Sequence, residues 1–295
     1  MPSIDILPQL IVNGLIAGSI YALAASGFAI VYYVMKFQYF SHGAIMSIGA
    51  YLFFAFLNLM GLNYIAAGLL TIAGCIIATL LSNWFIYMPL RKRRATPTVT
   101  LIASIVLLIL TSSLILAFFG SSTKTISLTK YNKTFDFGIF TITAIQISIL
   151  IFAILLFLFL WFVFKKTKLG KSMRALADNK DVAQIVGINP EKIYNYTFVI
   201  AAVFGAVGGM LLGLEQNLYP RMGIPIIIKG FISSVVGGLG SVPGSIIGGL
   251  FIGLAENVGV LFLPTGYKDV ISFSVLLLFL LFRPQGILGV KMRNV

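Results

Sequence analysis

The sequence is poor in charged residues and has almost no cysteine or histidine. Only 10% of its 295 residues are Asp, Glu, Lys or Arg, against about 25% in an average soluble domain. A single cysteine, Cys75, excludes a disulfide framework within the chain. Cys75 and the single histidine, His42, are too few to build a metal site. We therefore expect no structural disulfide, no metal centre and no cofactor bound by this chain.

Catalytic and nucleotide-binding motifs are also lacking. Residues 168–172 (KLGKS) carry the Gly-Lys-Ser end of a phosphate-binding loop, but Lys165 stands where its first glycine is needed. Residues 238–240 (GLG) begin a dinucleotide-binding fingerprint, but Pro243 replaces its third glycine. With one histidine, no nucleophile–base–acid trio can be assembled inside the membrane. We expect no enzymatic activity from the chain itself.

Long hydrophobic runs are what the sequence has in abundance. Hydrophobic residues make up 59% of the chain, and its mean hydropathy is +1.03. Apolar runs of about 20 residues predict membrane-spanning helices. We predict an all-α polytopic membrane protein, one domain over residues 1–295, with about eight transmembrane helices and a range of seven to nine. The predicted spans are residues 9–35, 38–60, 63–90, 98–119, 142–164, 193–214, one or two within 223–264, and 270–282.

The basic residues are unevenly distributed along the chain. The net charge is +13, and 15 of the 21 Lys and Arg residues fall at Lys36, residues 91–94, residues 165–192 and residues 283–293. Alternating spans bring these four places to one face, which predicts a cytoplasmic face by the positive-inside rule and not a nucleic-acid-binding surface. The C-terminus, with Lys291 and Arg293, is then cytoplasmic, and the N-terminus, with Asp5, faces outward. Eight crossings with the N-terminus inside is the alternative.

The longest polar run, residues 165–192, lies between two predicted spans. It predicts two short helices, with Asp178 or Asn179 as N-cap of the second and Gly187 at its end. The apolar residues of the second helix favour docking onto another protein, whereas charge alone is equally compatible with a solvated connector. The apolar candidates for docking are Val182, Ala183, Ile185, Val186 and Ile188.

Two predicted spans are interrupted by small and polar residues. Residues 38–60 contain a predicted break near His42-Gly43, and residues 237–244 (GGLGSVPG) cannot sustain a helix. Paired interruptions related by a weak inverted pseudo-symmetry indicate a transport pathway, with chance in a glycine-rich chain as the alternative. Small residues four apart also predict close helix contacts. The glycines and proline assigned to breaks or close contacts are Gly205, Gly209, Gly213, Gly238, Gly240, Pro243, Gly244 and Gly248.

Few ionisable residues fall within the predicted spans. Glu256 is the deepest carboxylate and is a functional candidate, although a packing hydrogen bond is an equal alternative. His42 can relay protons or hydrogen-bond a neighbouring helix, and we favour the structural role. Because a proton-coupled carrier usually needs several such groups, the energy source is expected to lie outside this chain.

Five ordered motifs extend over nearly the whole chain. They are NGL at 13–15 with YAL at 21–23, FSHGA at 40–44 with GAY at 49–51, GKSMRA at 170–175 with Asp178, Asn179, Ala183, Gly187 and Ile188, GGLGS at 237–241 with Pro243 and Gly244, and RPQGILG at 283–289. This set resembles bacterial high-affinity branched-chain amino acid ABC transporter permeases of the LivH type. The segment at 120–140 is the part least similar to that family.

The resemblance implies an importer subunit of the bacterial cytoplasmic (inner) membrane. Its expected partners are a second, LivM-like permease, two cytoplasmic ABC ATPases that hold ATP and magnesium, and a periplasmic binding protein for leucine, isoleucine or valine. Arg174, Ala175, Asn179, Ala183 and Gly187 match the family's ATPase-contact segment. The pathway candidates are Ser41, His42, Ser47, Ser241 and Glu256. A relative that carries urea, amides or other amino acids, or a self-sufficient channel or carrier, is the alternative.

Overall fold

The computed structural model describes residues 6–126 and 133–289. Asp5, Lys291 and Arg293, on which the predicted orientation of the termini rests, lie outside these residues. The helices are α1 Leu7–Met35, α2 Ser41–Phe54, α3 Tyr64–Ser82, α4 Met88–Lys92, α5 Pro97–Phe119, α6 Ala144–Lys166, α7 Lys168–Asp178, α8 Lys180–Ile185, α9 Pro190–Glu215, α10 Gly223–Gly237, α11 Val242–Gly259 and α12 Lys268–Phe282. A small antiparallel hairpin pairs β1 Thr134–Asp136 with β2 Thr141–Thr143.

Within the described residues, eight helical stretches are long and apolar enough to cross a membrane, as predicted. Two of them include π-helical turns, Ala55–Leu59 after α2 and Asn83–Tyr87 between α3 and α4. A short 3-10 helix, Thr265–Tyr267, precedes α12. Helix α10 has 15 residues and is a shorter ninth apolar helix. The prediction of an all-α membrane protein with about eight spanning helices is confirmed.

Local sequence signals fix where many helices begin. Side chains at the N-cap positions accept hydrogen bonds from backbone amides of the first turn, which removes unpaired donors there. Proline occupies the first or second position of α5, α9 and α11, where its missing amide costs nothing. The capping residues are Asn63, Thr96, Thr143, Thr167, Asn179, Asn189 and Ser241.

Helices α1, α2 and α9 form the centre of the bundle, and α3, α5, α6 and α12 surround it. The central helices have most of their residues buried, whereas the surrounding helices present exposed apolar side chains. Exposed apolar faces of this extent are what a helix in contact with lipid requires. The uniformly apolar character of α5 and α6 therefore reflects their peripheral position.

Small residues allow the central helices to approach closely. A Cβ on Gly209 of α9 would overlap the carbonyl oxygen of Met46 in α2, and a Cβ on Gly205 would meet Ile45 and His42. Gly213 continues this line against Ala50. Helices α10 and α11 are similarly close, since Gly244 lies on Gly237 and Gly248 lies on Ser233. These five glycines (205, 209, 213, 244 and 248) therefore lie at close helix contacts, whereas Gly240, which was assigned the same spacing, has open space around its Cβ position.

The second predicted break is confirmed in place. Helix α10 ends at Gly237 and α11 begins at Val242, and Gly238 and Gly240 between them have φ of 112° and 88°. Those values are costly for any residue with a side chain, which explains glycine at both positions. Pro243 lies in the first turn of α11, where it is tolerated. The backbone amides of residues 287 and 288 donate to the carbonyls of the last turn of α10.

The first predicted break is misplaced by a few residues. Lys36, in the left-handed region at φ 58°, ends α1, and residues 37–40 are non-helical. His42 and Gly43 belong to the first turn of α2, which continues without interruption through its π-helical turn to Leu59. Gly43 is needed for close contact with Gly223 and not for a break. The two interrupted segments thus meet at the N-terminal turns of α2 and α10, while their pseudo-symmetry stays a prediction.

The bundle has two distinct ends. At the first end, the Gln9 side chain near the start of α1 hydrogen-bonds the backbone of Thr141 at 2.8 and 3.1 Å. At the second end, Arg174 of α7 and Pro243 line the same cavity, and residues 287–288 pair with the end of α10. The start of α1 is therefore opposite α7, α8 and residues 285–289. A chain whose start and end lie at opposite ends of the bundle crosses it an odd number of times. The eight longer spans together with α10 give that odd number.

Candidate functional site

Helices α7 and α8 form a small unit at the second end, between α6 and α9. Thr167 caps α7, and Asn179 caps α8 through hydrogen bonds from the amides of Asp181 (2.9 Å) and Val182 (3.1 Å). Asn179, and not Asp178, is thus the N-cap of the second helix. Asp178 is the exposed last residue of α7. Gly187 follows α8 at φ 86°, as predicted for the residue after a helix.

One set of residues in this unit holds it to the bundle. The Arg174 guanidinium donates a hydrogen bond to the Phe164 carbonyl in α6. Ala183 is 1% exposed, and Ala175 and Ile188 pack against the main hydrophobic core. These contacts fix the orientation of α8 relative to α6 and α9.

A second set of residues faces outward. Val182, Ile185 and Val186 are 55%, 84% and 69% exposed, and we call these three residues the apolar patch. The patch belongs to the polar segment rather than to a membrane-spanning helix. Exposed apolar side chains on a firmly held helix are typical of a protein-docking surface.

The predicted pathway residues of α2 are buried inside the bundle. Ser41 Oγ lies 2.6 Å from the Tyr87 hydroxyl oxygen and donates to the Ser104 carbonyl at 2.9 Å. The His42 ring packs directly on Gly27 and Gly205, and it is fully buried. Ser47 is 1% exposed and lies beside Gly223. In this conformation the three side chains pack α2 against its neighbours, and their place in a pathway stays a prediction.

The other two pathway candidates lie apart from α2. Ser241 caps α11 by accepting a hydrogen bond from the Gly244 amide at 3.2 Å, at the second end of the bundle. Glu256 lies near the far end of α11 and is 1% exposed. The structure therefore does not bring the five candidates together into one site.

Glu256 forms a buried charge cluster with a residue that the sequence analysis missed. Lys229 of α10, whose side chain is 8% exposed, forms an ion pair with the Glu256 carboxylate and contacts Asp269 Oδ1 at 2.7 Å. Lys229 also donates to Ser272 Oγ at 2.7 Å, and the Tyr21 hydroxyl donates to Glu256 at 2.8 Å. The cluster joins α1, α10, α11 and α12. The sequence does contain a signal for this residue. Lys229 lies in the middle of the apolar stretch 223–237, and a charge in such a stretch usually pairs with another charge.

The model of the family described as "Branched-chain amino acid transport system / permease component" matches residues 10–280. The chain belongs to this family. The resemblance to LivH-type permeases that the five motifs predicted is therefore confirmed.

Two curated members of this permease family are similar over almost their whole length. The high-affinity branched-chain amino acid transport system permease protein BraD of Pseudomonas aeruginosa is 37% identical, covering 98% of each chain. The corresponding protein LivH of Escherichia coli K12 is 34% identical, covering 95% of each chain. The range matched by the family model, residues 10–280, includes the residues of both the apolar patch and the buried charge cluster.

A solved structure supports the fold of this permease. The PsaBC structure from Streptococcus pneumoniae, in complex with Fab, matches 92% of this chain and 91% of that chain with a TM-score of 0.53. Sequence identity is 14%, so this likeness bears on the fold alone.

Proposed function

We propose that this permease is half of the translocation pathway of an ATP-driven importer for leucine, isoleucine and valine in the bacterial cytoplasmic membrane. A second, LivM-like permease completes the pathway, a periplasmic binding protein delivers the amino acid, and two ABC ATPases bind on the cytoplasmic side. The observation that carries the proposal is the apolar patch, presented by helices that the bundle holds firmly. The named substrates of BraD and LivH support the substrate class.

The position of α7 and α8 suits the transmission of force into the membrane domain. Thr167 connects α7 directly to α6, and Asn189 begins α9 directly after the unit. An ion pair between Arg91 and Glu191 at 2.8 Å also joins the end of α4 to the start of α9. Since α9 packs on both α1 and α2 at the centre, movement of the unit reaches the core of the bundle. This is the coupling that alternating access requires.

The buried charges also support an external energy source. Lys229 forms an ion pair with Glu256, so the deepest carboxylate already has a partner within the bundle. The alternatives are an importer of the same family for urea, amides or other amino acids, and a self-sufficient channel or carrier. Neither has a specific observation in its favour, and the exposed apolar patch has no use in the second.

The proposal is tested by reconstituting the chain in liposomes with its second permease and ATPases. We expect uptake of radiolabelled leucine that needs both internal ATP and the external binding protein. Competition by isoleucine and valine, but not by urea or acetamide, supports the substrate class. A matched liposome that lacks the ATPases is the control. Leucine uptake of equal rate in that control would overturn the ATP-driven function, and competition by urea would overturn the substrate.

A further inference from the structure

A cavity of about 270 Å³ lies at the first end of the bundle, between the ends of α1, α6, α9, α11 and α12. Its walls combine the apolar side chains of Ile16, Ile20 and Leu212 with the charged side chains of Glu215 and Lys268. The volume is slightly below the range of about 300–1,000 Å³ that accommodates drug-sized ligands. The cavity therefore has room for one small molecule with both charges and a short apolar part, which would meet the small exposed fractions of Ile16, Ile20 and Leu212.

The two charges on the cavity wall have opposite sign but do not neutralise each other. Glu215 accepts a hydrogen bond from the Gln146 amide at 3.1 Å, and Lys268 donates one to Asn257 Oδ1 at 2.9 Å. Among residues 6–126 and 133–289, neither charge takes part in an ion pair within 4.0 Å. A carboxylate can accept several further hydrogen bonds, and an ammonium group has three donors. Each charged group therefore retains capacity for a guest.

The position of Lys268 adds a separate argument for an anionic guest. Lys268 is the first residue of α12, where the helix dipole disfavours a cation and favours an anion. Asp269 is the next residue, but its carboxylate is engaged by Lys229. An anionic group beside Lys268 would be attracted by both the ammonium charge and the end of the helix.

We propose that this cavity binds a zwitterion with a primary ammonium group, which pairs with Glu215 while its anionic group pairs with Lys268. The aliphatic side chain of leucine, isoleucine or valine would lie along Ile16, Ile20 and Leu212; this choice of guest rests on the proposed function. A phosphatidylethanolamine headgroup carries the same pair of charges and is the second source of this chemistry. Tyr21 also lines the cavity and donates to Glu256, so the guest would lie beside the buried charge cluster.

The test is leucine binding to the purified transporter complex in phosphatidylcholine nanodiscs, without the binding protein. We expect saturable binding, with 4-methylpentanoate, which lacks the ammonium group, and 3-methylbutylamine, which lacks the carboxylate, competing at least about tenfold more weakly. Glu215→Gln should abolish the preference for leucine over 4-methylpentanoate, and Lys268→Met should abolish the preference over 3-methylbutylamine. Asp136→Asn and Lys133→Met remove exposed charges of the β1 segment and serve as matched controls.

A second arm uses nanodiscs that contain phosphatidylethanolamine, with retained lipid measured by native mass spectrometry. Lipid retention that both cavity variants lose, without leucine binding, supports the zwitterion site and identifies the headgroup as its guest. The proposal is overturned if neither guest binds, or if both variants bind leucine and lipid as the wild type does. A complex that binds neither guest but still imports leucine with ATP would remove this site while leaving the proposed function intact.

Discussion

Lys229→Met will lower the free energy of unfolding of this permease by about 3–5 kcal/mol, because it leaves the Glu256 carboxylate buried without a cation. Tyr21 and Ser272 still contact that carboxylate, but neutral hydrogen bonds do not offset its loss of hydration. Glu256→Gln should lower the free energy of unfolding by less, since Lys229 keeps the exposed Asp269 as a partner. The measurement is unfolding of the purified chain in detergent, followed by temperature and by denaturant.

The double variant Lys229→Met/Glu256→Leu tests whether the loss of stability comes from the uncompensated carboxylate. Replacing both charges with apolar groups removes the uncompensated carboxylate, so we expect it to recover at least about 2 kcal/mol of the loss seen in Lys229→Met. Lys133→Met, which removes an exposed charge, should leave stability unchanged. If Lys229→Met were as stable as the wild type, the cluster would not be what holds α10 to α11 and α12.

Replacing Val182, Ile185 and Val186 with aspartate will abolish binding-protein-stimulated ATP hydrolysis by the reconstituted complex. Three charges on the apolar patch would have to be desolvated against the ATPase surface, which opposes docking. The three side chains are exposed in the permease itself, so its own stability should be little affected. The measurement is the ratio of ATP hydrolysis with and without the binding protein, together with recovery of the ATPases on the purified permease.

A matched variant distinguishes lost apolar contact from a disturbed helix. Changing the same three residues to leucine keeps the patch apolar, and we expect coupling to be retained. In contrast, Ala183→Asp places a charge at a position that is 1% exposed and should unfold the α7–α8 unit itself. Full coupling in the triple aspartate variant would show that the ATPases do not use this surface.

Features that depend on neighbouring residues were predictable from the sequence. The caps at Asn179 and Asn189, the end at Gly187 and the break between Gly237 and Val242 all follow from backbone chemistry within a few residues. The number of spanning helices follows from the length of apolar runs. The exposed apolar patch was also predictable, because its residues lie in a polar segment between two spans and are not covered by the membrane.

Features that depend on contacts between distant helices were not predictable. Lys229, the partner of Glu256, is 27 residues away in α10. Asp269, the second carboxylate that Lys229 contacts, lies in α12. No periodicity relates these positions, since the helices meet only after folding. The break assigned to His42-Gly43 failed for the same reason: Gly43 is small because Gly223 packs on it, and a sequence does not distinguish a contact glycine from a helix-breaking one.

The central claim, that ATPases dock on α8, is tested most directly by cross-linking from a single cysteine. In a Cys75→Ser background, Ile185→Cys carries a thiol-linked photo-cross-linker at the patch, and Ile139→Cys carries it at the exposed hairpin of the opposite end. We predict that position 185 cross-links to an ATPase subunit and that position 139 does not. Labelling of the ATPase from position 139, or its absence from position 185 in an active complex, would contradict the account.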